Sequence, residues 1–384
     1  MPGDRHTPRE MIDRLVSYDT TSRDSNLELI HFVQEYLGNL GIACQLIHDE
    51  TGAKANLFAT VGPEVDGGVV LSGHTDVVPV DGQDWHTDPF QVVERDGRLY
   101  GRGTSDMKSF SAVALALVPE MQARGLSRPV HFALSYDEEV GCLGAHSLVD
   151  HLGGLTVRPQ AVIVGEPTEM SVVNAHKGCH AYRTTVTGLE AHSSATHMGV
   201  NSIFYAAELL AFLHAQAEEL KAETNARFDP PYTTLHVGTI QGGTAHNIIP
   251  KETWFSWEFR VIPGHDAEAL RAGYTRFAED ELLPRMRAVF PEAAIVTEEL
   301  ASVRALVPED GSPAETLVLA LAGSNQTYAA SYATEAGLFQ AGGVPTVVCG
   351  PGNIREAHKP NEYIELAQVD ACETFLRKLI DHLA

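Results

Sequence analysis

Short apolar runs that each give way to a histidine or a carboxylate constrain this chain more than any other feature. VVLSG leads into His74 and Asp76, HFALSY into Asp137, Glu138 and Glu139, AVIVG into Glu166, and PTVVCG towards His358. Uninterrupted runs of this kind predict strands buried on both faces, and such strands need helices on both sides of the sheet. Apolar spacing supplies them at 9–19, at 26–40 (Leu27, Ile30, Val33, Leu37, Leu40), near 109–123 and near 313–323, with Gly41 ending the second. CQLI and NLFATV add further strands.

The pattern changes after about residue 178. HAYRTTVTG alternates in strand fashion, TTLHVGTIQGG and ETWFSWEFRVI read as strands, and 201–222 and 266–289 read as long helices. Near 301 the first style resumes. The expected architecture is a doubly wound, mixed-sheet α/β catalytic domain made of 1–178 and 301–384, with an α+β domain inserted at 179–300. A length of 384 residues suits two cores better than one.

Charge and cysteine usage exclude other classes. The 51 acidic and 27 basic residues give a net charge of −24, which argues against nucleic acid or an anionic membrane as partner. Solubility alone explains most of such an acidic surface. Cys44, Cys142, Cys179, Cys349 and Cys372 are scattered and contain no CxxC, so reduced thiols are expected. The stretch MPGDRHTPREMIDRL lacks the apolar core of a signal peptide, and no run approaches the roughly 20 apolar residues of a membrane span. The expected compartment is the cytoplasm.

Residues two apart on extended backbone share a side, so His74 can hold a cation while Asp76 orients it. An isolated HxD is as readily structural. Gly101 and Gly103 permit the tight turns that deliver Asp106 just ahead of a helix, which Asp106 can alternatively cap. Asp137, Glu138 and Glu139 are costly to bring together unless water or cations neutralise them, an exposed acidic turn being the plain alternative. Glu166 sits between Gly165 and Pro167, and His358 follows the last apolar strand. Each is ambiguous alone. Together, at strand ends, they would line the crevice where open α/β sheets bind ligands. Histidine and carboxylate donors without cysteine suit catalytic zinc, cobalt or manganese.

The segments SGHTDVVP, GRGTSDMK, SYDEEVGCLGA, GEPT, HKG, AHSS, GGTAHNIIP, EFR and GPGNIREAHKPNEY follow one another over nearly the whole chain. In that order they resemble the metal-dependent peptidase and deacylase family of acetylornithine deacetylase, succinyl-diaminopimelate desuccinylase, aminoacylase and glutamate carboxypeptidases. Ser109 departs from the family, which usually has glycine there. The resemblance implies two divalent metal ions, Zn2+ or Co2+, one held by His74 and Glu166, the other by Glu139 and His358, with Asp106 bridging. It also implies Asp76 behind His74, Glu138 as general base, and an inserted lid and dimerisation domain whose His192 serves the active site across a homodimer.

The implied substrate is a small N-acyl amino acid. SYATEAGLFQAGG with GPGNIREAHKPNEY is most similar to the acetylornithine deacetylase branch, which implies N2-acetyl-L-ornithine. Glu335 would then pair with the substrate's side-chain ammonium, Arg260 would hold its α-carboxylate in a two-pronged contact, and Asn247 would add a polar contact. Alternatives stay open: Arg260 pairing with Glu258 or Glu252, Glu335 merely starting a helix, His192 as a surface histidine in a polar loop. A broad aminoacylase, a desuccinylase, a dipeptidase or carboxypeptidase, and a non-catalytic metal-binding relative are the rival activities.

Overall fold

The structure, a computed structural model, describes residues 5–384. The chain divides into two compact units. One holds the described residues up to Ala175 with Leu306–Ala329 and Thr334–Ala384, and the other holds His176–Ala305 and Ala330–Ala333.

The chain begins with α1 (Pro8–Val16), α2 (Leu27–Asn39), β1 (Cys44–His48), β2 (Ala55–Val61), β3 (Val69–His74), β4 (Val93–Arg95) and β5 (Arg98–Tyr100). It continues with α3 (Lys108–Ala116), α4 (Val118–Arg124), β6 (Val130–Ser135), α5 (Ala145–Gly154), β7 (Ala161–Pro167) and β8 (Val172–His176). The middle stretch supplies β9 (Gly178–Thr187), α6 (Ser202–Glu219), β10 (Thr234–Gly242), β11 (Glu252–Val261), α7 (Ala267–Arg276), α8 (Leu283–Arg287) and β12 (Ala294–Val303). Last come α9 (Pro313–Ala322), β13 (Thr327–Ala330), α10 (Ala336–Ala341), β14 (Thr346–Gly350), β15 (Tyr363–Glu365) and α11 (Leu366–Leu383).

An eight-stranded mixed sheet runs β1-β2-β6-β3-β7-β14-β8-β13, and its four middle strands β6, β3, β7 and β14 are parallel. Every residue of β3, β6, β7 and β14 is buried, as the apolar runs predict. The main hydrophobic core joins this sheet to α1, α2, α3, α4, α9 and α11, while α5 and α10 pack together against β6, β7 and β14. A small three-stranded sheet, β15-β5-β4, sets Tyr363 opposite Tyr100. Its three-residue strands carry too little pattern to be read from sequence.

The second unit is built on an antiparallel sheet, β10-β11-β9-β12. Burial alternates along β11, and Tyr182, Trp257, Phe259 and Tyr274 pack with residues of α6, α7 and α8 in a separate core. No helix among the described residues is long and apolar enough to cross a membrane.

Local chemistry accounts for the helix ends. Thr7 and Glu10 form a reciprocal capping box at the start of α1. Gly41, at φ 77°, closes α2: its N–H donates to the Gly38 carbonyl and that of Ile42 to the Leu37 carbonyl. Two helices read as continuous from the sequence are broken. The stretch near 109–123 divides at Leu117 into α3 and α4, where Pro119 stands in the first turn. The stretch 266–289 becomes α7, a π-helical segment Phe277–Leu282 and α8, with Pro284 in the first turn of α8. Proline donates no backbone hydrogen bond, so the regular ladder cannot run through it.

The carboxyl end of β7 depends on close packing. A Cβ placed on Gly165 would lie 2.0 Å from Phe110 Cδ1, and one on Gly350 would lie 1.9 Å from the Gly165 carbonyl oxygen. Gly165→Ala is therefore expected to lower stability by about 1–3 kcal/mol through overpacking. Urea denaturation checks this; an unchanged midpoint would refute the packing argument.

Candidate metal centre

The sheet topology sets the site. His74 is the last residue of β3, Glu138 and Glu139 follow β6, Glu166 lies near the end of β7, and His358 lies in the loop after β14. All four strands are parallel, so these residues emerge at one edge of the sheet, the carboxyl edge where such sheets bind ligands.

Asp106 comes from the turn between β5 and α3. It does not cap α3: Met107 holds the cap position and no side chain caps that helix. Instead Asp106 Oδ1 lies 3.1 Å from His74 Nε2, and Oδ2 lies 3.3 Å from His358 Nε2. One carboxylate thus spans two histidines. Glu166 Oε1 stands 3.7 Å from His74 Nε2, and Glu139 Oε2 stands 3.0 Å from His358 Nε2. The ligand atoms of His74, Asp106 and Glu139 lie within 4.8 Å of one another, as do those of His74, Glu138 and Glu166.

Asp76 is buried behind this group. The Ser22 hydroxyl donates to its Oδ2 at 2.7 Å, and the backbone N–H groups of Glu138 and Glu139 donate to its two oxygens at 3.1 and 3.3 Å. His74 Nδ1 lies 2.9 Å from the Asp76 carbonyl and 3.5 Å from Oδ1. Asp76 therefore holds the His74 ring and the turn carrying Glu138 and Glu139. In the acidic triplet, Asp137 pairs with Lys54 Nζ at 2.5 Å, and that ammonium also bonds the Ser22 carbonyl. The Glu138 carboxylate accepts a weak bond from the Cys142 thiol at 3.4 Å.

Burial disfavours every charge here. It raises Glu138 and Glu166 well above the usual carboxyl range, reinforced by neighbouring carboxylates. Burial and the Asp106 charge push Glu139 up to about 7. Burial also opposes ionisation of Asp106, but His358 and His74 hold it well below the ordinary value. Hydrogen bonds to Asp106 and Glu139 raise His358 to about 10. Burial works against the His74 charge, yet Asp106, Asp76 and Glu166 keep its pKa well above the usual one. Five carboxylates, those of Asp76, Asp106, Glu138, Glu139 and Glu166, crowd around two histidines, so positive charge is what the cluster lacks. An oxygen- and imidazole-donor set of this kind fits divalent cations.

Sequence reasoning missed the buried pair Arg102–Glu362, at 2.7 Å. Pairing of β15 with β5 brings Glu362 beside the turn, and its Oε1 accepts the N–H groups of Ser105 and Asp106 at 2.8 and 3.1 Å. These residues lie more than 250 positions apart, so only the charged letters within GRGTSD and HKPNEY signalled them. The departure at Ser109 is accommodated, because its hydroxyl donates to the Thr104 carbonyl at 2.5 Å.

Of the remaining expected residues, Glu335 lies near the cluster, close enough to feel the charges of His74 and Asp76, whereas Arg260, His192 and Asn247 belong to the second unit. Glu335 is buried at the start of α10, and its carboxylate accepts from the Ser72 hydroxyl at 3.0 Å. It makes no side-chain cap to α10, and burial raises its pKa. Arg260 on β11 makes a two-pronged contact to Glu258, at 3.0 and 3.2 Å, which is the alternative pairing expected for it. Two residues apart on a strand share a side, which brings that pair together. His192 is exposed in the second unit, with Nδ1 2.8 Å from the Ser194 hydroxyl. Exposed Asn247 adjoins it, its carbonyl accepting from the Ser193 N–H at 3.0 Å. All five cysteines are free thiols.

Comparisons with known proteins place the chain in a family. Residues 70–382 match the model of peptidase family M20/M25/M40. The acetylornithine deacetylase of Myxococcus xanthus is 36% identical, covering 97% of each chain. That of Pasteurella multocida is 33% identical, over 95% of this chain and 93% of its own. Among solved structures, the M20 family metallo-carboxypeptidase Sso-CP2 of Sulfolobus solfataricus matches with a TM-score of 0.77 at 17% identity, over 98% of both chains. Aminopeptidase PepT of Bacillus cereus matches with a TM-score of 0.73 at 18% identity, over 99% of both. The chain is a hydrolase belonging to the M20/M25/M40 peptidase family.

Proposed function

We propose that the chain removes the acetyl group of N2-acetyl-L-ornithine, releasing ornithine and acetate in a step of arginine biosynthesis. The observation that carries amide hydrolysis is the Asp106 carboxylate set between His74 and His358 with Glu139 and Glu166 beside them. The substrate rests on the relatives, which are named acetylornithine deacetylases and match over nearly the full length.

His74 and Glu166 would hold one cation, Glu139 and His358 a second, and Asp106 both; zinc and cobalt suit these donors. One solved relative by fold is described as a dinuclear metal-binding peptidase, in line with two ions. Bound cations supply Lewis acidity to the scissile carbonyl and acidify water at neutral pH.

The protein's own residues do the rest. Glu138 takes a proton from water as its oxygen attacks the carbonyl carbon, then returns a proton to the nitrogen as the C–N bond breaks. Asp76 keeps Glu138 in place through its backbone N–H. His192 of a second subunit supplies a donor to the oxyanion across a cytoplasmic homodimer, and the second unit serves as its lid and dimerisation domain. Glu335 meets the substrate ammonium, Asn247 adds a polar contact, and Arg260 would have to leave Glu258 to reach the carboxylate.

Steady-state assays with acetylornithine, acetylmethionine, succinyl-diaminopimelate and a dipeptide test this reading. Acetylornithine is expected to lead acetylmethionine in kcat/KM by about 10⁴-fold, the scale of discrimination available to a site whose buried polar group is left unpaired by the wrong substrate. Equal values for acetylornithine and acetylmethionine would make the enzyme a broad aminoacylase.

A further inference from the structure

His358 differs from the other residues of the cluster. Its side chain is 56% exposed against 1% for His74, in the loop that follows β14. Its backbone has φ 63°, a left-handed conformation uncommon for a residue other than glycine. Its imidazole contacts are Asp106 and Glu139, the groups with which it would share an ion. An anchor for this loop must come from elsewhere.

Gln83 provides one. Its Nε2 donates to the His358 carbonyl at 3.1 Å, and its Oε1 accepts from Trp85 Nε1 at 3.0 Å and from Arg102 Nη2 at 2.6 Å. Indole and guanidinium groups only donate and a carbonyl only accepts, so the amide can face one way alone. Arg102 is itself buried, stacks 5.2 Å from the Trp85 ring and bonds Glu362, which holds the Asp106 backbone. A second clasp joins the same loops: the His86 N–H donates to Asn361 Oδ1 at 2.9 Å, and Asn361 Nδ2 donates to the Asp84 carbonyl at 3.2 Å.

We propose that Gln83 is a positioning residue for metal capture: its amide ties the His358 loop to the Arg102–Glu362 pair behind Asp106, fixing the two ligands relative to each other. This rests on the reading of His358 and Asp106 as ligands. Residues that orient metal ligands from behind typically change affinity 10–100-fold.

The test is calorimetric titration of chelator-treated protein with Zn2+, with Co2+ absorption as a second readout. Gln83→Glu keeps acceptor oxygens for Arg102 and Trp85 but removes the donor facing His358; Gln83→Ala removes both. Wild type is expected to take two equivalents. Both variants should weaken one step by about tenfold and leave the other within about twofold, with the cobalt spectrum of that equivalent altered. Gln83→Glu should keep its Tm. Wild-type binding by Gln83→Glu would overturn the proposal and reduce Gln83 to a support for Arg102. A wild type that takes fewer than two equivalents would instead refute the two-ion reading, and the proposal with it.

Discussion

Glu138→Gln is expected to lower kcat by about 10²–10⁴-fold, the usual contribution of a positioned general base, while two equivalents of metal stay bound. Glutamine matches glutamate in size but cannot take a proton from water. Glu139, not Glu138, contacts His358, and the Asp106 contacts to both histidines do not involve Glu138. The backbone N–H that ties residue 138 to Asp76 survives the change as well. Metal analysis beside steady-state kinetics separates the outcomes. Retained turnover would remove Glu138 as the base. Loss of one equivalent would make Glu138 a ligand, in keeping with its proximity to His74 and Glu166.

Asp106→Asn is expected to have the larger effect on metal content. An asparagine side chain offers one neutral oxygen where Asp106 presents two charged ones, each facing a different histidine. Its amide nitrogen would turn a donor towards one of the two cations. Affinity should fall beyond the 10–100-fold typical of supporting residues, leaving one equivalent or fewer after gel filtration. Turnover should fall by at least about 10²-fold in step with it. Circular dichroism guards against misfolding, because Glu362 still receives the backbone N–H of residue 106. Two equivalents and normal turnover in this variant would end the bridging role.

How much of this is legible without coordinates depends on the range of the interaction. β3, β6, β7 and β14 announce themselves as apolar runs because burial on both faces leaves no room for polar alternation. The residues that follow them stand out by contrast. The edge strand β12 escapes a reading of this kind, since AIVTEELASV mixes exposed and half-buried residues and lacks a clear period. Proline positions decide the two broken helices, where apolar spacing alone suggests continuity. The partners of the cluster are harder still. Lys54 beside Asp137, Gln83 beside His358 and Glu362 beside Asp106 are separated by 83, 275 and 256 positions. A single sequence carries no signal for such pairs. Arg260 shows the opposite case: its contact with Glu258, two residues away on one strand, follows from strand geometry.

The order in which the cluster's parts leave the ribosome has its own significance. His74, Asp106, Glu139 and Glu166 all belong to the first half of the chain, whereas His358 and Glu362 fall within its closing segment. In vectorial synthesis these four side chains therefore precede the His358 imidazole and the Glu362 carboxylate that pairs with Arg102. If these side chains hold cations as proposed, complete capture would wait for the segment around residue 358 to join the rest.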